Sequence, residues 1–256
     1  MIADAVTWIG HSTVLLEVDG ARLLTDPLLR QRAVHLRRSE RPAAVSRIDG
    51  VLISHLHYDH LDIASLREVG RDVPVVLPRG AARILRWRGF GDVREVEAGD
   101  VVEVAGLAVH VTPADHDPSW RPGTRPVRAV GYVADGVFFA GDTDLFAEMA
   151  AIAPVDLALL PVAGWGPRLP AGHMSPERAA EALTLLQPRL AVPIHWGTFA
   201  PWRAPAGDDG PAQAFARAAA EVAPDVEIRI LRPGERLELA QPTSDNGSPT
   251  MSTGTL

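Results

Sequence analysis

Residues 54–60, Ser-His-Leu-His-Tyr-Asp-His, constrain the fold more than any other stretch of the chain. They place four side chains that bind metals within six positions, namely His55, His57, Asp59 and His60. The apolar run 51–53 before them predicts a buried strand, and Asp62 after them predicts the N-cap of a helix over 63–69. Imidazole nitrogen and carboxylate oxygen together suit zinc, manganese or iron. We therefore predict a metal-binding loop held between the end of a strand and the start of a helix.

The composition narrows the chemistry that this loop can support. The chain has 256 residues, a net charge of −7, no Cys and no Lys among its 25 basic residues. The absence of Cys excludes disulfides, thiolate ligands and Cys nucleophiles, and the absence of Lys excludes Schiff-base chemistry and a Walker phosphate loop. The negative charge argues against binding to nucleic acid, and no apolar run approaches the roughly 20 residues of a membrane span. We expect a cytoplasmic protein with a small anionic substrate, no nucleic-acid partner and no integral membrane association, and leave a homo-oligomer open.

Strand and helix signals alternate along the chain, as in layered α/β folds. Asp19-Gly20 and Asp135-Gly136 predict hairpin turns, and Ser175 followed by Pro176 predicts a helix running to about residue 186. Residues 241–256 are rich in Ser, Thr, Pro and Gly. We predict one domain over 1–240 and a disordered tail over 241–256.

Residues 30–47 differ from their surroundings because they carry six Arg with little periodicity. We interpret them as a surface loop resting on the rim of the site. A solvated run of charge is the simpler alternative, and a patch that attracts an anionic substrate is the functional one.

Three later predicted strands each end at a further candidate ligand. These are His116 after residues 107–111, Asp142 after 137–140 and His195 after 190–194. Seven ligands suit two metal ions rather than one. Two ions roughly 3.5–4 Å apart need a shared carboxylate, and Asp142 is suited to bridge them.

The pattern H-x-H-x-D-H, a later His, a later Asp and a final His resembles the metallo-β-lactamase superfamily over about residues 6–200. The resemblance implies an α/β fold, an αββα sandwich with the site at one edge of the two sheets. It also implies two divalent ions, which we expect to be Zn²⁺ with Mn²⁺ as the alternative. In that assignment His55, His57 and His116 hold the first ion, Asp59, His60 and His195 hold the second, and Asp142 bridges them.

Five flanking stretches are similar to the branch that contains N-acyl-phosphatidylethanolamine phospholipase D and ascorbate-6-phosphate lactonase. They are residues 8–13, 24–27, 139–143, 173–177 and 193–199. Two features depart from that branch: His116 is followed by Asp-Pro-Ser-Trp rather than by His-Trp, and the long N-terminal extension of the phospholipase is missing. A soluble substrate is therefore favoured over a membrane phospholipid.

Three side chains are candidates for catalytic roles. Asp59 would orient the attacking water, His173 would reach the mouth of the site, as the resemblance implies, and His11 would orient substrate or a ligand, with a purely structural role as an equal alternative. We interpret His35 and His110 as structural or solvated. Aromatic residues near the predicted site loops are expected to wall the pocket, namely Trp120, Trp165, Trp196, Phe199 and Trp202, while Trp8 and Trp87 are assigned to the core.

The favoured function is a dinuclear metal-dependent hydrolase acting on a small anionic ester. A phosphodiester is placed ahead of a sugar-phosphate lactone because Arg37, Arg38 and Arg41 offer forked donors matched to phosphate. An RNA-processing nuclease is disfavoured by the charge of −7. A noncatalytic binding module would have no need to keep all seven ligands, and a redox diiron enzyme would need a fused electron-carrier domain.

Overall fold

A computed structural model of the chain describes residues 3–117, 126–152, 155–163, 169–201 and 207–239. The predicted tail lies outside these residues, as do Trp120, Trp165 and Trp202. The assignment of residues 1–240 to one domain stays a prediction.

One seven-stranded sheet carries the predicted metal-binding loop. Its strands are β1 (Ala5–Gly10), β2 (Thr13–Val18), β3 (Ala21–Thr25), β6 (Gly50–Leu52), β7 (Val75–Pro78), β8 (Val93–Val96) and β17 (Glu235–Glu238). Their spatial order is β17-β1-β2-β3-β6-β7-β8. Strands β3, β6, β7 and β8 run parallel, so β3 and β6 end at the same edge of the sheet.

A second seven-stranded sheet carries the three later ligands. Its strands are β9 (Val101–Val104), β10 (Leu107–Pro113), β11 (Val130–Ala134), β12 (Val137–Phe139), β13 (Leu157–Pro161), β14 (Leu190–Ile194) and β16 (Glu227–Ile228). Their order is β16-β14-β13-β12-β11-β10-β9. The strands from β12 to β16 in this order run parallel, and β12 and β14 therefore deliver the residues that follow them to one edge.

The two sheets pack face to face around a shared apolar core. Trp8 and Leu16 of the first sheet belong to the same buried cluster as Val109, Phe138 and Phe139 of the second. The helices α1 (Ile63–Val69) and α2 (Ala82–Arg86) cover the first sheet, and α3 (Pro176–Leu186) and α4 (Gly210–Val222) cover the second. The predicted αββα sandwich is confirmed.

Local signals place most of these elements correctly. Asp62 accepts a hydrogen bond from the main-chain N–H of Ser65 and caps α1, and Ser175 accepts one from Arg178 and caps α3. A short 3₁₀ helix, Ala147–Ala151, lies between β12 and β13. None of the described helices is long and apolar enough to cross a membrane.

The Arg-rich segment, predicted to be a surface loop on the rim of the site, lines the cavity in part but is not a loop throughout. It contains a hairpin of β4 (Arg32–Ala33) and β5 (Leu36–Arg38), and β5 pairs with β15 (Phe199–Pro201) in a three-stranded sheet. The pairing is stabilised by a small buried cluster of Leu28, Ala33, Leu36 and Phe199. Phe199 lies more than 160 residues from the other three, so the contact that buries the hairpin cannot be recognised in the local sequence.

Candidate metal centre

The structure brings all seven predicted ligands together at one edge of the sandwich. The loop after β6 supplies four of them, and the residues after β10, β12 and β14 supply the other three. They fall into overlapping groups whose ligand atoms lie within 4.8 Å of one another and could hold a metal ion. Side chains that are separated by up to 140 positions in the sequence therefore form one centre.

The first group consists of three imidazoles, those of His55, His57 and His116. Nδ1 of His57 lies 2.9 Å from Nε2 of His55 and 3.1 Å from Nε2 of His116. In a tetrahedral zinc site with Zn–N bonds of about 2.0–2.1 Å, neighbouring nitrogens are about 3.3 Å apart. The three nitrogens are thus arranged closely enough to share one ion.

The second group surrounds the carboxylate of Asp59. Its Oδ2 atom lies 3.0 Å from Nε2 of His11, 3.6 Å from Nε2 of His60 and 3.8 Å from Nε2 of His195. These four residues form a group with metal-ligand spacing. His11, which the sequence suggested as a catalytic or structural residue, is therefore in direct contact with a predicted ligand.

Asp142 lies between the two groups. Its Oδ2 atom is 3.2 Å from Nε2 of both His60 and His195, and 3.9 Å from Nε2 of His55. Within the described residues, Oδ1 of Asp142 and Nε2 of His60 are buried and make no hydrogen bond. Leaving such atoms unsatisfied costs about 1–3 kcal/mol each, and coordination to a metal removes that cost. The donor set therefore fits divalent ions.

The outer nitrogens of the imidazoles are held by the protein. Nδ1 of His116 lies 2.7 Å from the carbonyl oxygen of Gly172, and Nδ1 of His195 lies 2.8 Å from that of Ala163. A carbonyl can only accept, so both Nδ1 atoms carry the proton and both Nε2 atoms turn their lone pairs into the centre. Histidines that bind a metal through one ring nitrogen typically donate a hydrogen bond from the other nitrogen in this way.

Asp26 lies in the flanking stretch 24–27, but the sequence analysis did not name it as a residue of the site. Its Oδ2 atom lies 2.7 Å from Nδ1 of His60 and accepts the hydroxyl of Ser54 at 2.5 Å, while its Oδ1 atom accepts the Ser54 main-chain N–H at 2.7 Å. The Ser54 hydroxyl in turn lies 2.9 Å from Nδ1 of His55. One buried carboxylate thereby orients a histidine of each group. The available signal was an Asp at a strand end, the same position that the later ligands occupy.

The electrostatics of the centre favour a positive charge at its middle. Burial opposes ionisation of Asp59 and Asp142, yet the surrounding imidazoles hold the pKa of both carboxyls well below the usual range. Burial would lower the pKa of His60, but Asp142, Asp59 and Asp26 raise it well above its ordinary value. Three carboxylates around one imidazole therefore form an environment that stabilises a cation.

His173 lies beside a cavity of about 330 Å³ that opens onto the centre. Its Nε2 atom is 3.3 Å from Oδ2 of Asp142, and its side chain is 10% exposed. The cavity is also lined by His57, Asp59 and His116. The predicted position of His173 at the mouth is therefore found. His11, in contrast, is fully buried. Burial and, to a smaller extent, the neighbouring His195 lower the pKa of His11 to about 3.

The predicted role of Arg38 in binding phosphate is wrong. Arg38 is buried, donates to the carbonyl oxygens of Leu28 at 2.8 Å and of Ile9, and lies over the ring of Phe199. Arg37 is exposed on the opposite face of β5, and neither it nor Arg41 lines the cavity. The guanidinium that the fold buries serves to attach the hairpin to the sandwich.

Two predictions about aromatic residues are also wrong. Trp196 and Phe199 are buried rather than part of the cavity wall, and Trp196 stacks on Trp8 with ring centroids 4.7 Å apart. Trp87 was assigned to the core but is 75% exposed. The assignment of Trp8 to the core is confirmed.

Comparisons with known proteins agree with this geometry. A family model described as a beta-lactamase superfamily domain matches residues 21–196. A UPF0173 metal-dependent hydrolase of Methanopyrus kandleri is 34% identical over 91% of this chain and 99% of its own length, and one of Nitratidesulfovibrio vulgaris is 34% identical over 91% and 95%.

A solved structure, that of the metallo hydrolase Igni18 from Ignicoccus hospitalis, is also similar. It superposes with a TM-score of 0.69 at 27% identity and covers 94% of this chain and 100% of its own. These three names do not refer to the phospholipase and lactonase branch, so that narrower resemblance stays a prediction. The chain belongs to the metallo-β-lactamase superfamily and, within it, to the UPF0173 family of metal-dependent hydrolases.

Proposed function

We propose that this metal-dependent hydrolase holds two divalent ions, zinc or manganese, and cleaves a small anionic ester, with a phosphodiester ahead of a lactone. The observation that carries the proposal is the position of Asp142, whose carboxylate lies between two groups of histidines and faces a cavity. A carboxylate in that position can be shared by two ions, which a mononuclear site does not need.

The proposed ligands divide evenly between the two ions. His55, His57 and His116 hold the first, Asp59, His60 and His195 hold the second, and Asp142 bridges. When bound, the ions polarise the ester and activate a water for attack. Hydrolysis then forms a bond from the oxygen of water to the reacting centre, breaks the ester bond and releases an alcohol that has taken up a proton.

Two side chains beyond the main ligand set assist in this proposal. His11 lies 3.0 Å from Oδ2 of Asp59 and fixes the direction of that carboxylate, through which the attacking water is oriented. His173 borders the cavity and is the group placed to exchange a proton with the departing oxygen. Both histidines hold their positions through carboxylates of the centre itself.

The preference for a phosphodiester rests on the ions and no longer on the arginines. Two cations held by hard ligands stabilise the oxygens of a phosphoryl group as they gain charge. The described lining of the cavity contains no Arg, so among the described residues the charge of a phosphate would be balanced by the bound cations. The same observation keeps a lactone as the second candidate, because its ester requires no additional positive charge.

Metal analysis and a substrate panel test the proposal. Protein saturated with zinc or manganese should contain close to two ions per chain and should hydrolyse bis(p-nitrophenyl) phosphate faster than p-nitrophenyl phosphate or a simple lactone. A chelator should abolish the activity. A single ion at saturating metal would contradict the bridging role of Asp142, and a clear preference for lactones would reverse the order of substrates.

A further inference from the structure

The hairpin β4–β5 places an unusual residue in the wall of the cavity that opens onto the metal centre. Val34 at its tip lines the cavity and is 72% exposed, and its backbone is in the left-handed region with φ of 51°. Two-residue hairpin turns normally use Asn, Asp or Gly in that conformation. A β-branched residue with positive φ is a genuine outlier, because its side chain crowds the neighbouring backbone.

Val34 thus carries two energetic costs, the exposure of its apolar side chain and its left-handed backbone, and packing within the described fold offsets neither. An exposed apolar side chain contributes little to the core, and any Gly or Asn would form the turn more easily. Residues that break local rules in this way are concentrated at binding sites, where a ligand supplies the missing contacts. Val34 lines the same cavity as the metal-binding residues His57 and Asp59. The molecule that would contact Val34 is therefore the substrate that binds at the metal centre.

Other apolar side chains continue the same rim. Tyr58 stands between His57 and Asp59 in the metal-binding loop, lines the cavity and is 42% exposed. Pro170 and Ala171 also line the cavity. Two of the six large hydrophobic residues that the described structure exposes, Val34 and Tyr58, therefore line this one cavity.

We propose that Val34 and Tyr58 are specificity-determining residues that bind an uncharged alkyl or aryl substituent of the substrate. The inference rests on the proposed function, since the reacting ester would occupy the metal centre while its substituent lies against this rim. The chemistry of the cavity supports the assignment. The cavity is lined by carboxylates and imidazoles of the centre, by the apolar side chains of Val34, Tyr58, Pro170 and Ala171, and by the exposed polar residues His35 and Asp117, and its described lining contains no Arg.

Two measurements on the metal-loaded protein test the rim separately from the hydrolysis. The first is the Kd of methyl-, ethyl-, propyl- and butylphosphonate, determined by calorimetry. The second is kcat/KM for the corresponding alkyl p-nitrophenyl phosphodiesters. Burial of each methylene should tighten binding and raise kcat/KM by about three- to fourfold.

The Val34→Gly variant supplies the decisive comparison. Glycine adopts positive φ without strain, so the variant should be at least as stable as the wild type while losing most of the dependence on chain length. Trp87→Ala, which removes an exposed aromatic residue that does not line the cavity, should keep that dependence.

The outcomes distinguish the two proposals. Phosphonate binding that tightens with chain length without any turnover supports the rim and overturns the proposed hydrolysis. Turnover with equal kcat/KM along the series, no phosphonate binding, or an unchanged slope in Val34→Gly overturns the rim.

Discussion

Replacing Asp26 by Asn removes one charge and exchanges one carboxylate oxygen for an NH₂ group, yet it should weaken metal binding strongly. The carboxylate accepts three hydrogen bonds, from Nδ1 of His60, from the Ser54 hydroxyl and from the Ser54 main-chain N–H. An amide offers one accepting oxygen. In one orientation its NH₂ group faces His60 and the hydroxyl, and in the other it faces the main-chain N–H, so neither orientation satisfies all three donors.

The magnitude follows from these contacts. A hydrogen bond to a charged group contributes about 1.5–3 kcal/mol, and loss of a partner that orients a metal-bound His typically weakens metal binding about 10- to 100-fold. Asp26 contacts His60 directly but reaches His55 only through Ser54. We therefore expect the ion assigned to His60 to be weakened most, with the other ion affected less.

Competition with a chromophoric chelator measures both affinities on the same sample. Asp49→Asn is the matched control, because Asp49 accepts a main-chain hydrogen bond from Arg22 at the opposite end of the same pair of strands, β3 and β6. The control should bind two ions with unchanged affinity. Wild-type affinity for both ions in Asp26→Asn, at unchanged fold by circular dichroism, would refute the reasoning.

Two further comparisons test the site and its support. Asp142→Ala should lose at least one ion and reduce kcat by orders of magnitude. His110→Ala, at an exposed position of β10, should keep both ions and its activity. Equal behaviour of the two variants would show that the ligand assignment is wrong. Arg38→Gln should lower the free energy of unfolding in urea by about 2–4 kcal/mol because it leaves buried carbonyl oxygens without a charged donor, while the exposed Arg37→Gln should change it by less than about 0.5 kcal/mol. Similar losses in both would contradict the structural role of Arg38.

Part of the site could be predicted because its signals are local. The 55–60 loop is contiguous, and His116, Asp142 and His195 each follow an apolar strand that is recognisable in the sequence. Asp26 also follows a strand, but its importance depends on the parallel pairing of β3 with β6, which sets Thr25 opposite Leu52 and brings Asp26 beside Ser54. This strand pairing brings together positions that are 28 residues apart, and the local sequence pattern does not predict it.

The Arg-rich segment was misjudged for a related reason. Six arginines in 18 residues predict a solvated surface, and nothing in the local pattern separates Arg38 from its neighbour Arg37. Pairing of β5 with β15 places alternate side chains on opposite faces, so that Arg38 is buried and Arg37 is exposed. The partner strand lies more than 160 residues away in the sequence, so the choice is made by tertiary contacts.

The distribution of ligands over the two sheets has a consequence for folding kinetics. Under the proposed assignment each ion takes two ligands from the loop after β6 and the remainder from residues of the other sheet, so each ion acts as a cross-link across the sandwich. The full site cannot form before the sheets have docked, and the ions should therefore leave the refolding rate almost unchanged while slowing unfolding. Loss of metal in a cell would then shorten the lifetime of the folded chain before it altered the path by which new chains fold.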